Sequence, residues 1–175
     1  MGGRLRLFWR NWKLIGTPKR VYTWFRKGYR LPFLANHRQT AEEMRKTDCP
    51  DFLLTHYPKG SIKHNALNKL IGELITKNAI EEVPENEPVV FNRVFLREKP
   101  LKSKQSPQEF RLIIDLTQIN QHLNLKTFEM DTAAHIRRAI SHGMWATSLD
   151  FSDAYHHIPI RPDFYRFLAF QVGDK

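Results

Sequence analysis

Asp150 stands in the string Ser148-Leu-Asp-Phe-Ser-Asp-Ala-Tyr-His-His-Ile-Pro-Ile160, directly after apolar residues. An acid at the end of a buried strand is held on a rigid support and still faces a cleft, the placement a metal-binding carboxylate needs. Read alone, an Asp after a strand is more often a turn or cap residue. Asp153 is the second acid of the string. If the strand continued, residues three apart would point to opposite faces, whereas a turn after Phe151 would let both face the site, so spacing does not decide whether they pair. His156 and His157 are adjacent; on a strand such neighbours face opposite ways, and no third ligand is near in sequence, which argues against zinc. Cys49, the single cysteine, lies beside Asp48 and Asp51. Those charges raise a thiol's pKa and discourage nucleophilic use, so its expected role is structural.

These residues need elements to position them. Residues 145–149 read as a compact apolar strand, and 165–172 as the next one after a turn containing Pro159. Upstream, Asp131 or Thr132 caps an expected helix that carries Ile136, Ala139 and Ile140 inward until Gly143 ends it. Residues 89–97 and 110–114 are rich in Val, Ile and Phe and suit two strands. The polar, basic stretch between them makes a β-hairpin with a long tip. Leu67, Leu70, Ile71, Leu74 and Ile75 follow helical spacing over about three turns, and Pro84 stops the helix from running on. Residues 34–64 lack a sustained period and read as an extended connector. The pattern is α+β, with a sheet that looks unfinished.

The charge is unevenly placed. The 175 residues carry a formal net charge of +10, yet residues 1–40 hold ten Lys or Arg and no acid, while 41–175 hold eighteen of each sign. A uniformly basic, histone-like chain is excluded. Leu5, Phe8, Trp9, Trp12 and Ile15 share one helical face, and Arg6, Arg10 and Lys13 lie on the other. Thr17 and Pro18 suit the N-cap and first position of a second helix that Gly28 closes. Aromatics interleaved with cations fit a surface that tracks nucleic acid, or helices docked by their rings with the cations left in water. A lone cysteine and the absence of an apolar run of membrane-spanning length lead to the expectation of an intracellular protein, cytoplasmic or nuclear, with no membrane partner.

Three segments together carry more information than any one. Phe110-Arg-Leu-Ile-Ile-Asp-Leu-Thr-Gln-Ile-Asn120, Gly143-Met-Trp-Ala-Thr-Ser-Leu-Asp-Phe-Ser-Asp-Ala-Tyr155 and Phe167-Leu-Ala-Phe170 resemble, in order and near spacing, the fingers signature, first palm motif and following strand of reverse transcriptases. The resemblance covers roughly residues 62–175 and implies an N-terminal portion of a retrotransposon enzyme, DIRS-like or gypsy-like. The Gly2–Trp12 stretch further resembles the segment ahead of the polymerase in DIRS-like elements. Expected domains are a basic helical arm (1–40), a connector (41–61), and fingers with the first part of a palm (62–175). The fold class so implied is α+β, a partial right-hand polymerase.

By that resemblance, Asp150 is the catalytic carboxylate and a ligand of a Mg²⁺ pair, with Phe151 helping through its backbone carbonyl. Asp153 and Ala154 lie in the nucleotide pocket, and Tyr155 forms the floor that selects deoxynucleotides; its bland alternative is a packed tyrosine at the sheet edge. Arg111 matches the fingers arginine that contacts the triphosphate, as a planar fork suits phosphate oxygens. Lys99, Lys102 and Lys104 could add point charges from the hairpin tip, or belong to a solvated loop. Asp115 and Asn120 match the signature too, with local jobs in capping the turn and satisfying backbone groups. The implied partners are an RNA or DNA template-primer and deoxynucleoside triphosphates. Neither a Leu-Pro-Phe-Gly nor a Tyr-x-Asp-Asp string, which the family uses for its remaining catalytic parts, occurs in the 175 residues. The expectation is half an active site, weak Mg²⁺ binding and no activity from this chain alone; the other reading is a non-catalytic nucleic-acid-binding or regulatory protein derived from a retroelement.

Overall fold

The computed structural model describes residues 4–101, 107–127, 129–147, 150 and 154–173. Helices α1 (Trp9–Leu14), α2 (Lys19–Lys27), α3 (His37–Glu43) and α4 (Ile62–Thr76) precede strands β1 (Arg93–Glu98) and β2 (Phe110–Asp115). After these come α5 (Thr117–Asn120) and α6 (Ala133–Ala139), with single 3-10 turns at Arg4–Phe8, Asp51–Leu53, Ala154–His157 and Pro162–Phe167. The architecture is α+β, built on one two-stranded antiparallel sheet.

The hairpin and α4 form where their apolar periodicities demand them. β1 and β2 pair from Arg93 opposite Asp115 to Glu98 opposite Phe110. With side chains alternating, Val94, Leu96, Phe110, Leu112 and Ile114 share one face, and Arg93, Phe95, Arg97, Arg111 and Ile113 the other. The first face packs on α4: Leu67, Leu96 and Phe110 are buried together, with Leu70, Ile71 and Tyr57 against them. Ser61 caps α4 by accepting a hydrogen bond from the His64 N–H at 3.2 Å. The Tyr57 hydroxyl accepts from the Leu96 N–H at 3.0 Å, tying the connector to β1.

A second core gathers Leu31, Ala41, Val90, Ile119, Leu123, Phe164 and Phe167. It corrects two expectations. Residues 34–64 are not simply extended: α3 delivers Ala41, fully buried, into this core, although His37–Glu43 is otherwise polar and shows no apolar period. Residues 165–172 do not form a strand either. Pro162 opens a 3-10 turn, whose three-residue repeat puts Phe164 and Phe167 on the same side, both fully buried; a strand would send them to opposite faces. Only isolated parallel bridges follow, Ala169 to Phe91 and Val172 to Thr55.

Between the cores sits Asn92, the buried polar residue of 89–92. Its side-chain amide donates to the carbonyls of Val90 (3.1 Å), Phe167 (3.1 Å) and Ala169 (3.0 Å), while its own N–H donates to Ala169 at 2.8 Å. The strand root and the returning segment 167–169 are clamped through one amide.

The arm departs from expectation in detail. Its backbone changes from 3-10 to α at Phe8 and Trp9, and the change of pitch rotates the two halves, so Ile15 (72 % exposed) and Phe8 face outward with the cations. Pro18, not Thr17, is the N-cap of α2; the Thr17 N–H instead closes the preceding turn on the Trp12 carbonyl at 3.2 Å. Gly28 ends α2 as expected, at φ +84°, and the next residue docks the arm: Tyr29 exchanges backbone hydrogen bonds with Pro159 (2.7 Å) and Arg161 (3.0 Å).

Residues 129–147 also differ. Thr132 caps α6 through the His135 N–H, but the helix ends at Ala139, and Ile136 and Ile140 are about half exposed rather than inward. The described part of the expected strand, 145–147, is irregular, and Trp145 is fully exposed. The physical reason is the same for both. A strand needs a ladder partner and an apolar helix face needs a core, and this stretch pairs with no described strand and enters neither cluster.

Two substitutions test this frame. Asn92→Ala removes the side-chain donor from the Val90 and Phe167 carbonyls and one of the two donors to Ala169, and should lower the urea-unfolding free energy by about 3 kcal/mol. At Gly28 a Cβ would stand 2.8 Å from backbone atoms of Ile160 and Arg161 at a positive φ. Gly28→Ala should cost about 2 kcal/mol and expose the arm to limited proteolysis before the body. An unchanged midpoint for both variants would contradict the two junctions.

Candidate functional site

Arg111 lies on the outward face of β2, exposed, and its register partner on β1 is Arg97, also exposed. Cβ atoms of directly opposed residues are about 5 Å apart, a placement in which like charges repel. Neither guanidinium makes an ion pair with another described residue. Two unneutralised forks side by side on a rigid hairpin form an anion-binding arrangement, best matched by phosphate oxygens. Sequence reasoning found Arg111 and missed Arg97; once the hairpin was expected, counting register back from its ends was the signal that would have found it.

The turn after β2 is locked as expected. The Asp115 carboxylate accepts hydrogen bonds from both the N–H (3.0 Å) and the hydroxyl of Thr117. The Thr117 hydroxyl, then its N–H, holds Asp115 below the ordinary carboxylate range; desolvation opposes this and Arg93 adds a smaller pull. Asn120 acts through its backbone, its carbonyl accepting from Leu123 at 3.1 Å. Lys99 is engaged at the base of the hairpin's tip by Glu109 at 3.0 Å. Lys102 and Lys104 lie outside the described residues, as do Phe151 and Asp153.

Asp150 is exposed, and the residues described before it form no strand, which corrects the expectation of a buried support. Ala154 and Tyr155 open the 3-10 turn that ends at His157, so the two histidines are not strand neighbours. Tyr155 is 95 % exposed and therefore not the packed tyrosine of the bland alternative. No hydrogen bond, ion pair or ring contact joins Arg111 to Asp150 or Tyr155. Asp150 is the one described carboxylate of its segment, and no group of three or more metal-ligating side chains occurs among the described residues. Mg²⁺ keeps several waters and takes one or two carboxylates plus substrate phosphates, so among the described residues of this segment the Mg²⁺ expectation rests on Asp150.

Cys49 behaves as expected: burial first, and the Asp51 charge second, push its thiol above the ordinary value. An open groove of about 400 Å³ runs between residues 54–57 and Arg93, Phe95 and Leu96 of β1; Arg111, Asp150 and Tyr155 do not line it. Among the described residues no helix is long and apolar enough to cross a membrane.

Comparison with known proteins adds one relative. The chain is 27% identical over 120 residues, 66% of its length, to the Gag-Pol polyprotein of bovine immunodeficiency virus (strain R29). It spans 7% of that polyprotein. No family model matches, and no solved structure matches. The similarity points to a retroelement origin for the chain.

The Asp115 turn yields a pH prediction. Because its folded pKa is lowered, the carboxylate contributes stability that is present above the unfolded pKa and is lost as pH falls through the folded value. Thr117→Val removes the largest cause and keeps the N–H. In carboxyl-detected NMR titration the Asp115 midpoint should move up toward the ordinary range, and acid unfolding should begin at higher pH. An unmoved midpoint would show that the hydroxyl contributes nothing.

Proposed function

We propose that this chain is the fingers and the first part of the palm of a retroelement reverse transcriptase, an α+β fragment of a right-hand polymerase fold. The carrying observation is Arg111, set opposite Arg97 on the open face of a hairpin and followed at once by the Asp115 turn, in a chain similar to a retroviral polyprotein. In this reading the two arginines receive the triphosphate of an incoming deoxynucleotide, Lys104 at the hairpin tip adds charge, and the segment Asp153, Ala154 and Tyr155 lies along the nucleotide. Tyr155 is free to serve as a steric floor, since a rigid ring there rejects a 2′-hydroxyl. Asp150, with the Phe151 carbonyl, would contribute to the catalytic centre of the intact enzyme, whose reaction is template-directed DNA synthesis on a template-primer.

The exposure of Asp150 favours a second reading, a retroelement-derived protein that binds nucleic acid without catalysis. The two part at the triphosphate. The polymerase reading gives Arg111 a phosphate to hold; the binding reading does not require it.

Arg111→Ala should therefore weaken binding of a fluorescent deoxynucleoside triphosphate about 10- to 100-fold, the range of a charge-assisted bidentate contact. Arg111→Lys should recover only part of it, and unaltered binding in both would contradict the polymerase reading. Primer extension by this chain with template-primer, deoxynucleotides and Mg²⁺ should give no product above background. Incorporation that disappears in Asp150→Ala would overturn the expected incompetence and keep the family assignment.

A further inference from the structure

The arm's rings and cations have separate jobs in the structure. Trp12 packs against Phe25 at 5.3 Å between ring centroids, and Trp24 against Tyr29 at 5.2 Å. Phe25 is buried, and Trp12 and Trp24 are half-buried. Trp9 is taken up differently, with the guanidiniums of Arg10 (5.4 Å) and Arg26 (5.0 Å) over its ring. These aromatics hold the arm together; among the arm's described rings Phe8 is the exposed one, a single ring and not the run of rings on which successive bases stack.

Apart from Arg10 and Arg26 over Trp9, the arm's cations are not taken up in such packing. Arg6, Arg10, Lys13, Lys19, Arg20, Arg26, Lys27 and Arg30 are all exposed, and none makes an ion pair with a described residue. Residues 1–40 contain no acid to neutralise them. The mutual repulsion of such a cluster is relieved by a polyanion. A membrane surface is the poorer match: exposed Leu7, Leu14 and Ile15 belong to the first helical segment alone, whereas Val21, Tyr22 and Trp24 of α2 are half-buried and its outward positions are charged. The Arg4–Phe8 turn also contacts the Ala154–His157 turn, the segment that follows Asp150. A strand lying along the arm is thereby led toward the proposed nucleotide segment.

We propose that the arm is a phosphate-tracking surface for nucleic acid, which binds the backbone through its exposed cations and reads no bases. The proposal deepens the polymerase reading, but its test is independent of it. Fluorescence anisotropy with a fluorescein-labelled 20-mer of dT, and with a mixed-sequence RNA of equal length, should give similar affinities. With about six phosphates neutralised, the log–log salt slope should be about −4, a loss of roughly 300-fold between 50 and 200 mM KCl. A fourfold Lys13→Gln, Lys19→Gln, Arg20→Gln, Lys27→Gln variant should flatten the slope by about 3. The variant that keeps charge, with Lys13→Arg, Lys19→Arg, Arg20→Lys and Lys27→Arg, should restore it; circular dichroism on both confirms that they fold.

An unchanged slope in the Gln variant, strong dependence on base identity, or binding to phosphatidylserine vesicles without binding to the oligonucleotides would each overturn the proposal. Those results leave Arg111-dependent triphosphate binding untouched. Conversely, loss of triphosphate dependence on Arg111 with the arm's salt slope intact would remove the polymerase reading alone.

Discussion

A single buried amide holds the molecule's parts in one arrangement. Asn92 lies at the root of the hairpin and gives its side-chain N–H groups to carbonyls on its own strand and on the returning segment 167–169. Val90 beside it belongs to the core that holds Phe164 and Phe167, while Leu96 further along belongs to the core under α4. The arm is attached just upstream of that segment, through Tyr29 and the Pro159 and Arg161 backbone. Hairpin and C-terminal segment thus share one buried polar junction, to which the arm is linked through the chain between Arg161 and Phe167, and loss of the donor there is costly.

Charge is distributed in keeping with that frame. The body is formally neutral over 41–175, and its outward hairpin face concentrates two opposed arginines on a rigid support. The arm carries the excess, on short helices whose rings are already used in docking. In the proposed reading a local, geometrically defined anion site and a diffuse cationic surface coexist. The first suits one triphosphate and the second a chain of phosphates, because a fork confers geometry whereas an array of solvated charges confers salt-dependent affinity.

Much of this was legible in residue order. Ser61 ahead of an apolar helical stripe, two β-rich runs around a polar tip, Gly28 after Lys27, and Asp115 two residues before Thr117 all act through short-range rules that spacing exposes. What escaped depended on tertiary context. α3 has a polar sequence and is held by one buried alanine, and no periodicity announces that. Phe164 and Phe167 fit a strand or a 3-10 turn until the core decides. Arg97 became significant only through its cross-strand neighbour, and Asn92 looked like any polar residue at a strand root. The segment around Asp150 is the reverse case: its string resembles a catalytic motif, but its residues 145–147 have no ladder partner among the described residues.

In the proposed polymerase reading the hairpin arginines and the segment after Asp150 serve one nucleotide. Titrating the isotopically labelled chain with a deoxynucleoside triphosphate and Mg²⁺, and following backbone and arginine side-chain resonances, tests it most directly. The account predicts saturable shifts at Arg97, Arg111 and the Ala154–Tyr155 pair with a common midpoint. Shifts confined to the arm, or different midpoints at the hairpin and at Tyr155, would contradict it.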